Sequence, residues 1–148
     1  MRQASNDKGF TLVEMLLVVI IITTLAAMVV PRFTGRAKEA KIAAATTDIQ
    51  SNIASALDVY EVDNGMYPTT EQGLGALVAA PATPPLPQKW RGPYLKKKGG
   101  LNDPWGNPYV YRSPGVHNPT DYDLYSLGPD GVEGSDGNIT NWDNQTKS

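Results

Sequence analysis

Gly9-Phe10-Thr11-Leu12-Val13-Glu14-Met15-Leu16-Leu17-Val18-Val19-Ile20-Ile21 opens an apolar run that continues to Val30 and carries one formal charge, Glu14. As a helix rising 1.5 Å per residue, Phe10 to Val30 would be about 31 Å long, enough to cross a bilayer core. An acid at the centre of such a segment costs about 2.5–3.5 kcal/mol on insertion scales. Glu14 stands one turn from the start, so its carboxylate can reach the interface. Wherever helices pack away from water, it needs a positive partner. Arg2 and Lys8 give the run a basic leader, as in a secretory signal. The core of such a signal, however, is only about 7–15 residues and holds no acid. A generic membrane anchor does not explain Glu14 either.

On the N-terminal side lies the short polar leader, Met1 to Gly9. On the other side Pro31 is expected to end or kink the first helical run, because it has no N–H to donate. Gly35 adds a second soft point. Helical pattern then resumes from Ala37 to about Val62. Ile42, Ile49, Ile53, Leu57 and Tyr60 fall on one face. Asp63-Asn64-Gly65 reads as the stop, with a left-handed cap at Asn64 or Gly65. The expected element is one long helix, apolar all round in its first half and amphipathic in its second.

Further out, Thr69 and Gln72 have the capping-box spacing ahead of a short helix over Leu74 to Ala79. Pro81, Pro84, Pro85 and Pro87 forbid regular structure, so an extended loop follows. Trp90, Tyr94 and Leu95 are expected to pin that loop to the core, and Lys96-Lys97-Lys98 reads as a solvated basic turn. Asp103-Pro104-Trp105-Gly106-Asn107-Pro108 is dense in turn formers. Tyr109 to Arg112 and Tyr122 to Leu127 read as two antiparallel strands. Both are short, and an isolated hairpin is marginal in water. The apolar stripe of the long helix is the surface available to them.

Composition narrows the function. The 148 residues carry a net charge of −2 and no cysteine, which excludes disulfides, thiolate metal sites and cysteine catalysis. Up to Arg112 there are 12 basic and 9 acidic residues, and beyond it one basic and six acidic. That acidic end disfavours nucleic acid and favours solvation or a cation. His117 is the single histidine, and no nucleophile elbow, phosphate loop or dinucleotide fingerprint is present. The chain is therefore not read as an enzyme. Gly128 to Asp143 gathers Asp130, Glu133, Asp136 and Asp143 among four glycines. This is not the EF-hand pattern, but hard oxygens on a glycine-rich turn suit calcium. The alternative is a disordered acidic tail.

The block Gly9 to Ile21, with Pro31 following the apolar run, resembles the class III signal of type IV prepilins and type II secretion pseudopilins. The resemblance implies cleavage between Gly9 and Phe10 by a prepilin peptidase and methylation of the Phe10 amine. It also implies that Glu14 faces the free amine of a neighbouring subunit. Tyr67-Pro-Thr-Thr-Glu-Gln-Gly-Leu74, Asp103-Pro-Trp-Gly-Asn-Pro-Tyr109, Tyr122-Asp-Leu-Tyr-Ser-Leu-Gly-Pro-Asp-Gly131 and Asn141-Trp142 are similar to the major pseudopilins of type II secretion systems.

That family implies an α+β, pilin-like fold: a long N-terminal helix against a small antiparallel sheet with a C-terminal calcium loop. It divides the chain into a leader (1–9), a transmembrane and filament-core helix (10–30) and a periplasmic domain (31–148). It places the subunit in the bacterial inner membrane with the leader cytoplasmic, although the lysines and arginines at 32, 36, 38 and 41 outnumber those of the leader. The subunit then passes into a periplasmic filament that exports folded proteins. The implied partners are copies of the chain itself in a helical homopolymer, minor pseudopilins, the prepilin peptidase and the inner-membrane assembly platform.

The family also implies a structural calcium ion held by Asp130 and a second acid, with the carbonyls of Leu127 and Val132 contributing. That second acid lies just before an Asp-Ile-Gly-Asn-Trp stretch. Here the stretch reads Asn138-Ile139-Thr140-Asn141-Trp142, and the nearest acid is Asp136. Two other readings stay open: the major pilin of a type IV or competence-type surface fibre, and a monomeric membrane-anchored domain.

Overall fold

Helix α1, Leu12–Thr47, spans 36 residues and passes through Pro31 and Gly35 without ending. Proline removes one i→i−4 bond, and the bonds on either side can carry the helix past it. Of the two outcomes expected at Pro31, the helix does not end there, and the one long helix expected over this stretch is present. The computed structural model of the chain describes residues 9–96 and 101–142. Leader residues 1–8, Lys97 and Lys98 of the basic turn, and Asp143 lie outside the described residues.

The chain divides within α1 into two compact units, one ending at Glu39 and one beginning at Ala40. In the first unit, none of Leu12–Val29 is buried, and this stretch is long and apolar enough to cross a membrane. Its polar side chains are satisfied internally. Thr23 Oγ1 donates to the Val19 carbonyl at 2.8 Å and Thr24 Oγ1 to the Ile20 carbonyl at 2.7 Å. Such back-bonding lets a hydroxyl sit on an apolar helix without an unpaired donor.

The second unit begins with the end of α1. A π-helical turn, Asp48–Asn52, separates it from α2, Ile53–Asn64. Gly65 ends α2 in the left-handed conformation (φ 79°), and its N–H donates to the Glu61 carbonyl. This is the expected stop, because glycine alone takes positive φ without steric cost. Ile49, Ile53, Leu57 and Tyr60 are fully buried, as the stripe requires. The capping box also forms: Gln72 Oε1 accepts from Thr69 N–H at 3.0 Å, and Thr69 Oγ1 accepts from Gln72 N–H at 3.3 Å. The element that follows is a single 3₁₀ turn, Leu74–Leu77, shorter than expected. Gln72 Nε2 and Trp90 Nε1 tie down the proline loop through the carbonyls of Thr83, Pro85 and Ala76.

Among the described residues the sheet has three antiparallel strands in the order β1 (Val110–Arg112), β2 (Asp123–Ser126), β3 (Ile139–Thr140). Tyr111 pairs with Leu124, and Ser126 with Ile139. The first two strands were expected. The third has two residues and no alternation for a sequence pattern to reveal. All four residues of β2 are buried. Tyr109, Tyr111, Tyr122 and Leu124 join Ile49, Ile53, Leu57 and Leu77 in one core. Tyr94, Trp90 and Leu95 pack against it from the loop, as expected.

Candidate functional site

Two regions carry the expected functional residues. The first is the start of α1. Thr11 N–H donates to Glu14 Oε2 at 2.8 Å and Thr11 Oγ1 donates to the same oxygen at 3.1 Å. Glu14 N–H donates back to Thr11 Oγ1 at 3.2 Å. This is a reciprocal capping box, and the carboxylate also faces the positive end of the helix dipole. The acid that looked unpartnered in sequence thus has local partners in the single subunit. The Thr11-x-x-Glu14 spacing carried that signal unread. Gly9 and Phe10 lie outside the helix and are exposed, so the expected processing bond stands clear of regular structure.

The second region is the loop from Leu127 to Asn138. It leaves β2 through a buried polar junction that sequence reading missed. Ser126 Oγ donates to Asp103 Oδ2 at 2.6 Å and accepts from Gly128 N–H at 2.9 Å. Asp103 Oδ1 in turn accepts from Trp105 and Asn107 N–H groups, closing the turn ahead of β1. Gly128 sits at φ 69°, and a Cβ there would lie 2.0 Å from the Gly137 carbonyl oxygen. Only glycine fits this crossing.

Inside the loop the carbonyls of Leu127 and Val132 converge. They meet on the side-chain nitrogen of Asn138, at 3.0 and 2.8 Å. Asp130 and Asp136 are both exposed. Asp130 Oδ2 borders Gly137, where an added Cβ would approach it to 2.9 Å. Asp136 lines a cavity of about 580 Å³ with Arg112, His117, Glu133 and Trp142. Within this lining His117 stacks on Trp142, with ring centroids 4.0 Å apart. Arg112 pairs with Glu133 at 3.0 Å, and Tyr125 Oη donates to the same carboxylate. Burial first, then that bond, pushes the Tyr125 phenol up to about 12. Among the described residues no three acidic or histidine side chains gather as a metal-ligating group.

The type II secretion system protein G family matches residues 32–142, and the prokaryotic N-terminal methylation motif matches residues 4–30. The chain belongs to the type II secretion system protein G family. It is 50% identical over 146 residues to type II secretion system core protein G of Pseudomonas aeruginosa, covering 96% of this chain and 99% of the relative. It is 46% identical over 143 residues to core protein G of Escherichia coli K12, covering 96% and 95%. Its fold is similar to the crystal structure of the major pseudopilin from the type 2 secretion system of enterohaemorrhagic Escherichia coli. That match has 40% identity and a TM-score of 0.64, and covers 77% of this chain and 96% of the other.

The long helix and small antiparallel sheet expected from sequence are those of this family. Gly9, Phe10 and Glu14 fall inside the methylation motif, and the whole C-terminal loop falls inside the protein G match. Against the expected calcium ion, the donor chemistry of this loop has a mismatch at one point. At the point where Leu127 and Val132 aim their carbonyls, this member of the protein G family presents an NH₂ donor, and a cation there requires acceptors.

Proposed function

We propose that the chain is the structural subunit of the pseudopilus of a type II secretion system. Copies of it polymerise into a periplasmic filament that helps drive folded proteins across the outer membrane. The observation that carries this reading is the exposed apolar face of α1 from Leu12 to Val29, with Glu14 its single acid. Before assembly that face is covered by lipid. Afterwards only like helices can cover it, and the exchange is roughly neutral in hydrophobic terms because both places are dry.

Processing prepares the exchange. A prepilin peptidase cuts after Gly9 and methylates Phe10. The new amine gives Glu14 of an adjacent subunit its positive partner in the filament core. Glu14 leaves its own helix cap to make that pair, so register is set by exchanging one set of charge-assisted hydrogen bonds for another. One buried, unpartnered carboxylate per misaligned subunit would cost several kcal/mol. The inner-membrane assembly platform and minor pseudopilins complete the machine, and an ATPase elsewhere in it supplies the work.

Two measurements test this. Mass spectrometry of the purified protein is expected to find a chain beginning at N-methylated Phe10. Replacing Glu14 by Ala is expected to abolish filaments and secretion while leaving the subunit folded in the membrane. An intact Met1, or normal filaments from the variant, would overturn the reading.

A further inference from the structure

Asn138 occupies the point where the C-terminal loop turns its oxygens inward. Its Nδ2 donates to the Leu127 carbonyl at 3.0 Å, the Val132 carbonyl at 2.8 Å and the Ser135 hydroxyl at 3.2 Å. Its Oδ1 accepts from Gly134 N–H at 2.7 Å. Two carbonyls and one N–H fix the amide this way round. Reversed, Oδ1 would face the carbonyl oxygens of Leu127 and Val132 and the NH₂ would face the Gly134 N–H. Every polar atom of the side chain is therefore used, and each partner comes from a different place in the loop.

Oxygens that converge on one point repel unless something positive lies between them. A divalent cation is one solution, and a pair of N–H dipoles is another. Here the chain supplies the second. Asn138 immediately precedes β3, so the residue that closes the loop also leads into the third strand. Asn141 fixes the stretch from the other end, its Oδ1 accepting from Leu124 N–H and its Nδ2 donating to the Tyr122 carbonyl. Asp130 remains exposed beside Gly137, where water can solvate it.

We propose that the Asn138 amide takes the place of the calcium ion in this loop, so that the fold of this protein does not depend on calcium. The inference is independent of the filament reading, since it concerns the folded subunit alone. The test is thermal unfolding of the full-length protein in detergent, followed by near-ultraviolet circular dichroism, in chelator and in added calcium. Wild type is expected to melt at the same temperature in both. Asn138→Asp keeps the shape but replaces the donors by a fourth oxygen. It is expected to melt about 4 °C or more lower in chelator, and to recover when calcium is added. Asn138→Ala is expected to melt lower in both solutions. Calcium raising the wild-type melting temperature would overturn the proposal, and so would either variant matching wild type in chelator. Failure of calcium to lift Asn138→Asp would overturn the claim that the amide stands where a cation fits.

Discussion

Asp123 is a fully buried carboxylate at the start of β2 that organises the loop before it. Its oxygens accept from the N–H groups of Val116, His117 and Asn118 at 2.7 to 3.0 Å, and His117 Nδ1 lies 3.1 Å away. Gly115 passes so close that a Cβ there would come within 2.5 Å of Asp123 Oδ1. Burial alone would raise the carboxyl pKa, but the backbone donors of His117 and Asn118, the His117 ring and the Val116 N–H outweigh it and hold it below the usual value. A folded-state pKa below the unfolded one means that the native state favours the anion. The stabilisation is therefore complete above the unfolded value of about 3.9 and is lost as pH falls through the lower, folded value. Asp123→Asn is expected to cost on the order of 1–3 kcal/mol near neutral pH, because it leaves donors facing an NH₂ group. Its stability is also expected to fall less steeply than wild type below about pH 5. Urea unfolding of both proteins across that range checks the magnitude and the slope. In sequence His117 stood out only as the single histidine. Its ring is half exposed, and what it serves is the buried acid six residues on.

At the scale of elements, the C-terminal loop rests on backbone crossings that leave no room for side chains. Gly128→Ala forces both a positive φ on an L-residue and a Cβ against the Gly137 carbonyl. The expected loss exceeds the ~1 kcal/mol of an ordinary strained glycine replacement, because the strands on either side must separate. Gly134 is a useful control: it also has positive φ, but a Cβ there would meet nothing within 4 Å. Gly134→Ala is expected to lose only the conformational part, and a comparison of chemical-denaturation midpoints for the two variants reads the difference. What was legible at this scale follows from pattern length. Five apolar residues on one helical face announced the core side of the long helix, and Asp63-Asn64-Gly65 announced its end. The π turn at Asp48–Asn52 left no such trace. There Asp48 uses one oxygen for Asn52 Nδ2 at 2.7 Å and the other for the Tyr109 hydroxyl at 3.0 Å, a partner 61 residues away. The Asp103–Ser126 junction was hidden for the same reason, its residues lying 23 apart, whereas the Asn138 contacts are local to the loop and were missed because no periodic pattern marks them.

The whole molecule has two parts with opposite requirements. From Ala45 onward every buried apolar residue belongs to the second unit. Phe10 to Val29 contribute none and remain exposed throughout. A chain beginning at Ala40 is therefore expected to fold alone, since it retains Ile49, Ile53, Leu57 and Tyr60 and the tyrosines that pack on them. It is expected to be monomeric without detergent and to unfold in one cooperative transition, as a core of this size usually does. The complete chain is expected to stay in the membrane fraction after an alkaline carbonate wash, because the 18 exposed apolar-helix residues Leu12–Val29, about 27 Å long, need lipid or their own kind around them. The two experiments together separate the anchor from the fold. Loss of cooperative unfolding on truncation at Ala40 would mean that the apolar helix helps hold the domain together even before assembly. Release of the complete chain by carbonate would mean that α1 is covered by something other than the bilayer. With both outcomes as expected, anchor and fold are separable: the second unit keeps its core without the apolar helix, and the first unit's apolar surface is what holds the complete chain in the membrane.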